Sequence, residues 1–146
     1  MTTIAFDGRA VAADRQMTIG GTAVKSPFPK ITRVTLDGIK SICGFSSGNV
    51  CHVMPVLEWL KQGCPDERPD ISDAKDFSLM IANKAGVFYA TESLNLVPIG
   101  NIPWSIGSGC DFAMGAMAAG KSAADAVRIA AKFDVNTGFG VDTVRF

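Results

Sequence analysis

The second residue is a threonine, followed at once by the strand-like run Thr3-Ile4-Ala5-Phe6. Aminopeptidase trimming of Met1 is expected before so small a residue, and it would leave a hydroxyl and a free α-amine on Thr2. An α-amine titrates at about 8, so a useful fraction is neutral at pH 7 and can take the hydroxyl's proton. That makes Thr2 a candidate self-activated nucleophile. A retained Met1 would block the amine and leave the chain inactive. Two other patterns carry chemistry on paper. Gly115-Ala-Met-Ala-Ala-Gly120-Lys121-Ser122 fits the phosphate-loop spelling. However, Ala116 to Ala119 reads as helix, and no later run of four apolar residues ends in an aspartate to hold magnesium. A C-cap glycine followed by an N-cap serine explains the same letters. His52 is the sole histidine and adjoins Cys51, with no evident acid to orient it.

The elements that must position Thr2 read as follows. Asp7-Gly8 turns the first strand into Arg9 to Ala13. Ile19 to Pro29, rich in glycine and proline, reads as a loop. Ile31 to Leu36 alternates imperfectly and turns at Asp37-Gly38 into Ile39 to Phe45. From Asn49, residues Val50, Val53, Met54, Leu57 and Leu60 share one helical face, with Pro55 forcing a late start or a kink. Cys64 to Asp76 is irregular. Phe77 to Ala82 and Gly86 to Thr91 form a third hairpin, and Trp104 to Gly107 is a short strand. Asp111 to Ala119 is a helix ended by Gly120. Ser122, with Asp125 three residues on, opens another that runs to about Phe133. Val141 to Phe146 is a last strand. So many hairpins imply mostly antiparallel sheets covered by helices, an α+β chain forming one domain over 1–146.

In order, Thr2-Thr3-Ile4, Asp14-Arg15-Gln16-Met17-Thr18, Lys30-Ile31, Gly44-Phe45-Ser46-Ser47-Gly48 and Ile106-Gly107-Ser108-Gly109 resemble the N-terminal-nucleophile hydrolases of the proteasome β-subunit type. The resemblance is closest to the peptidase subunit of the bacterial proteasome-like, ATP-dependent heat-shock protease. It implies a four-layer αββα sandwich, with the helix layer reduced here because Cys64 to Asp76 stands where a second long helix is usual. It also implies roles. Thr2 is the nucleophile, and Lys30 is the cation that lowers the pKa of both amine and hydroxyl. Asp14 keeps that lysine charged and oriented. Gly44 offers a backbone N–H to the developing oxyanion. Ser108 bonds the threonine's amine and hydroxyl, and Asp134 with Thr137 stands behind them. Backbone carbonyls of Ala131, Asp134 and Thr137 can hold a monovalent or divalent structural cation, while catalysis needs no cofactor. The implied partners are further copies of the chain in a ring, a peptide or unfolded-protein substrate, and an ATPase unfoldase.

Bulk properties narrow the alternatives. Fourteen basic and fourteen acidic residues give a net charge of zero, which offers no electrostatic reason for nucleic acid or an anionic membrane as partner. No apolar run spans a bilayer, and no basic start precedes an apolar stretch, so a cytoplasmic protein is expected. Cys43, Cys51, Cys64 and Cys110 are scattered and read as free thiols. Trp59 and Trp104 read as core or interface residues. The main expectation is a threonine-type peptidase. The alternatives are an amidase on a small metabolite, an inactive structural or interaction protein of the same fold, and a nucleotide binder using Gly115 to Ser122.

Overall fold

Short turns decide how this chain pairs its strands. The computed structural model describes residues 2–146; Met1, whose removal is expected from the sequence, lies outside the described residues. β1 (Ile4–Phe6) turns into β2 (Ala10–Asp14) where the Asp7 carboxylate accepts the amides of Arg9 at 2.8 Å and Ala10 at 2.9 Å. β3 (Gln16–Ile19) and β4 (Thr22–Lys25) follow, then β5 (Ile31–Leu36) and β6 (Ile39–Ser46). A 3₁₀ turn at Val50–His52 leads into α1 (Val53–Lys61). β7 (Ser78–Asn83), β8 (Gly86–Ala90), β9 (Val97–Gly100) and β10 (Trp104–Ile106) come next. The chain closes with α2 (Cys110–Ala118), α3 (Ala123–Ala131) and β11 (Val141–Arg145).

These strands form a four-stranded sheet ordered β10-β1-β2-β11, a five-stranded sheet running β5 to β9 in sequence order, and the β3-β4 ribbon. The pairings are antiparallel. The fold is therefore α+β with three helices among the described residues. Asp37 and Gly38, at φ 49° and 76°, make the two-residue left-handed turn that their spelling predicts between β5 and β6. Ser122 caps α3 by accepting the Asp125 amide at 3.2 Å, and Gly120, at φ 91°, follows the end of α2.

Alternation along the strands separates three apolar clusters. Ile4, Phe6, Val11 and Ala13 face Ile31, Ile42, Met80 and Val87 of the other sheet. Ala5 and Ala12, on the reverse face, meet Ala113, Met117, Ala123, Ala126 and Val127 of α2 and α3. So many alanines at this contact let the helices lie close. The outer face of the five-stranded sheet packs Cys43, Phe45, Leu79 and Ile81 on Val56, Trp59 and Leu60 of α1. Residues 62–77 are irregular. They add Ile71, Ala74 and Phe77 to this cluster in place of a second helix.

Three expectations are corrected. The stretch Ile19 to Pro29 is not all loop: Gly20 and Gly21, at φ 55° and 86°, form the turn of the β3-β4 hairpin. The buried face of α1 is Val56-Trp59-Leu60, with Val50 63% and Met54 58% exposed. The 3₁₀ turn ahead of Val53 changes the angular spacing, and Trp59 has the largest area to bury. Pro55 sits in the first turn, where its missing N–H leaves no bond unmade. Finally, β9 has no counterpart in the sequence reading. Its Pro98 lies on a sheet edge, where a lost donor is tolerated.

Candidate active site

Strand register brings the first polar residues together. Ile4 lies opposite Ala13, so the chain just before β1 meets the end of β2, and the Asp14 amide donates to the Thr3 carbonyl at 3.3 Å. Thr2 is 2% exposed. Its hydroxyl donates to Asp14 Oδ1 and accepts from Lys30 Nζ at 2.6 Å. Lys30, just ahead of β5, also donates to Asp14 Oδ1 at 2.9 Å. Asp14 is fully buried, yet it collects two more backbone donors on Oδ2, the amides of Gln16 at 3.2 Å and Gly138 at 3.1 Å, and the Thr3 amide on Oδ1 at 3.1 Å. Burial pushes the Lys30 pKa down. The Asp14 charge pulls it back up, and the net position is below the ordinary lysine value. A cation so placed favours the alkoxide form of the Thr2 oxygen.

The backbone of Thr2 is seated by the loop after β10. Its carbonyl accepts the Gly109 amide at 3.3 Å and, at 3.3 Å, the Ser108 hydroxyl, whose one proton it shares with Asp134. Gly107 has φ 99°, and a Cβ there would stand 2.1 Å from the Thr2 carbonyl oxygen, so only glycine fits. A second polar group lies behind. Asp134 Oδ2 accepts Ser108 Oγ at 2.7 Å and Thr137 Oγ1 at 2.6 Å. Since the Thr137 hydroxyl gives its proton there, Thr3 Oγ1 donates to Thr137 Oγ1 across 2.7 Å. Burial raises the Asp134 pKa, but the bonds from Thr137, Ser108 and the Asn136 amide outweigh it, and the carboxyl titrates below its usual range.

Of the residues singled out from the sequence, Thr2, Asp14 and Lys30 meet directly, and Ser108, Asp134 and Thr137 form the adjoining network. Gly44 stands elsewhere. It lies within β6, opposite Ile31 and Met80. The Phe45 amide donates to the Lys30 carbonyl, so ladder alternation turns the Gly44 N–H toward β7 rather than toward Thr2. Its missing side chain has a packing reason: a Cβ would lie 3.0 Å from Ile4 Cδ1 and 3.1 Å from Ile31 Cγ2. The carbonyl of Asp134 accepts the Thr137 amide at 3.1 Å, which uses part of the donor set expected for a cation. Among the described residues, no group of three or more His, Cys, Asp or Glu is placed to hold a metal ion.

Thr3, Gln16, Gly107 and Gly109 fall within the stretches that carry the resemblance, but the sequence assigned them no role. Only the glycines flanking Ser108 gave a signal. A Cβ on Gly109 would lie 2.0 Å from Thr3 Oγ1. Gln16 donates Nε2 to the Val135 carbonyl at 2.8 Å and so ties the Asp14 strand to the Asp134 loop. The other patterns resolve into structure. Gly115 lies inside α2, and Ser122 caps α3. His52 Nε2 lies 3.4 Å from Asp73, and Cys51 is exposed. The four cysteines are free, and burial pushes the Cys43 thiol up to about 12. The Trp59 indole donates to the Pro65 carbonyl at 2.9 Å within the core.

Comparison with known proteins bears on this geometry. No family model and no curated protein matches the sequence. Solved structures do. The BPH of Thiobacillus denitrificans, in complex with epoxomicin, superposes with a TM-score of 0.71 at 22% identity, over 99% of this chain and 97% of that one. The fold is that of the HslV-type, proteasome-like peptidase subunits. Eukaryotic HslV from Trypanosoma brucei matches with a TM-score of 0.68 at 21% identity, over 98% and 97% of the two chains. Anbu, the ancestral beta-subunit, from Yersinia bercovieri matches at 0.66 and 12% identity, over 100% and 81%. The HslV-type fold thus accounts for the chain from end to end. No helix among the described residues is long and apolar enough to cross a membrane.

Proposed function

We propose that this chain is a threonine hydrolase of the peptidase kind, with Thr2 as nucleophile once Met1 is removed. The observation that carries the reading is the Thr2 oxygen held between Lys30 Nζ at 2.6 Å and the buried Asp14 carboxylate. In the reaction, Oγ attacks the substrate carbonyl and its proton passes to the α-amine of Thr2. Lys30 stabilises negative charge on Oγ. Asp14 keeps Lys30 charged and fixes the hydroxyl. The tetrahedral intermediate collapses as the ammonium returns the proton to the leaving amine, and the acyl group stays on Thr2. Water, deprotonated by the amine, then releases it. Ser108 and Asp134 hold the Thr2 main chain in line, with Thr137 and Thr3 behind them. No step runs through a cation on the carbonyls of Ala131, Asp134 and Thr137.

The three clusters support a single four-layer domain: α1, the five-stranded sheet, the four-stranded sheet, then α2 with α3. We also read the protein as a homo-oligomeric ring. The rings of Phe112 and Phe133 stack 5.3 Å apart on the exposed side of α2 and α3, and Val135 nearby is 86% exposed. That is apolar surface suited to a neighbouring copy. An unfolded polypeptide delivered by an ATPase is the substrate this assembly would take.

The test begins with the intact mass, which should lack Met1. A threonine-directed covalent inhibitor should then add once to the chain and not at all to Thr2→Ala. Peptide hydrolysis should fall by about 10³-fold or more in that variant. Wild-type turnover by Thr2→Ala, or full retention of Met1, defeats the reading.

A further inference from the structure

We propose that the cavity beside Thr2 is a subsite for a basic side chain of the substrate, arginine above all; this deepens the hydrolase reading and rests on it. The cavity measures about 360 Å³ and opens between the β10 edge of one sheet and the face of the other. Its walls include Ser46, Ser78 and Tyr89 of the five-stranded sheet, Asp76 just ahead of β7, Trp104 of β10, and Ser108. On this wall Ser108 bonds the Thr2 carbonyl and Gly107 packs against it. An occupant therefore lies against the loop that holds the Thr2 main chain.

Charge, ring faces and hydroxyls all select the same class of ligand. Among the described residues of the lining, Asp76 carries the one carboxylate, and no lysine, arginine or histidine opposes it. Tyr89 and Trp104 meet edge to face, with centroids 6.4 Å apart, and form an aromatic wall on which a guanidinium can stack. Ser78 Oγ and Tyr89 OH are 3.4 Å apart, a long bond that leaves both with acceptor capacity. A planar fork of five N–H donors uses several such oxygens at once, whereas a lysine ammonium is a single point charge. The buried indole N–H of Trp104 has no acceptor among the described residues. An aliphatic side chain would leave the Asp76 carboxylate without a partner.

The experiment uses the full chain carrying Thr2→Ala, which binds without turnover. Pairs of alanine-rich peptides, with arginine or citrulline at each position in turn, are titrated while tryptophan fluorescence is followed. Citrulline keeps the shape and removes the charge. The arginine member of at least one pair should bind about fivefold tighter, the size expected for an ion pair open to solvent. Asp76→Asn should bring that ratio to about one. Asparagine is chosen because residue 76 has φ 57°, a left-handed backbone that it tolerates. Equal affinity within every pair, no arginine peptide bound by about 1 mM, or an undiminished ratio in Asp76→Asn overturns the subsite. Hydrolysis is scored separately on the unmutated chain. Preferential arginine binding without cleavage or inhibitor labelling keeps the subsite and removes the hydrolase.

Discussion

Replacing Asp14 by asparagine removes one charge from the centre of the site while keeping its shape. The Asp14 side chain is 0% exposed, and Lys30 Nζ lies 2.9 Å away. At an effective dielectric constant of about 20 the bare attraction is about 6 kcal/mol. Desolvation offsets part of it, and taking one partner from such a buried pair costs about 3–5 kcal/mol. An amide also cannot accept on both sides. Whichever way the substituted amide turns, its NH₂ faces either the Gln16 and Gly138 amides or the Thr2, Thr3 and Lys30 donors. For a chain of this length the loss corresponds to a fall in Tm of about 10–15 °C at fixed protein concentration. The Lys30 pKa should fall further, because the Asp14 charge is what now raises it. Urea denaturation of Asp14→Asn, Lys30→Met and the double variant measures the coupling directly. The double variant should be less destabilised than the sum of the singles by about 2–3 kcal/mol. A single variant within about 1 kcal/mol of wild type, or strict additivity, refutes the claim that these two charges depend on each other.

The neighbouring residues give further tests. Gln16→Leu removes the tie to the Val135 carbonyl, costs about 1 kcal/mol, and should speed hydrogen exchange at the Gly138 amide while lowering kcat more than it raises KM. Gly107→Ala forces a Cβ onto the Thr2 carbonyl at a φ of 99°, so it should abolish inhibitor labelling of Thr2 and cost about 3 kcal/mol or more. Asp134 has a folded pKa below its unfolded value, so its stabilisation is fully present above about 4 and disappears as the pH falls through the lowered folded value. The stability gap between wild type and Asp134→Asn should therefore be largest near neutral pH and close in acid, as followed by denaturant midpoints across a pH series.

What is legible in the sequence is local chemistry. Asp37-Gly38 demands a left-handed two-residue turn whatever surrounds it, and Ser122 with Asp125 marks a helix start by hydrogen bonds three residues apart. Thr2, Asp14 and Lys30 stand out because their order and spacing resemble a known pattern. The β3-β4 hairpin is hidden because most of its residues are exposed, leaving no apolar alternation to read. Thr3 and Thr137 touch across 134 positions, and Gln16 and Val135 across 119. No periodicity encodes such contacts; the pairing of β11 with β2 brings the two stretches together. Gly44 shows the converse: a pattern position points to a catalytic amide, but the ladder turns that amide into the sheet and the glycine answers to Ile4.

The position of Lys30 fits the proposed reading, in which the polar cluster serves chemistry more than stability. Burial lowers its pKa by more than Asp14 restores, so the net shift is downward from 10.5. The unfolded chain then binds more protons than the folded one between the lowered folded value and 10.5, and stability rises with pH across that window. At neutral pH the folded protein therefore carries this ammonium at a net cost. A lysine serving only to lead into β5 would lie in solvent, where its charge is free of that penalty. Instead its Nζ lies 2.6 Å from the Thr2 hydroxyl oxygen, where a cation acts on that hydroxyl. On the proposed hydrolase reading, a fold that accepts an unfavourable buried charge at that atom gives up stability for the reactivity of Thr2.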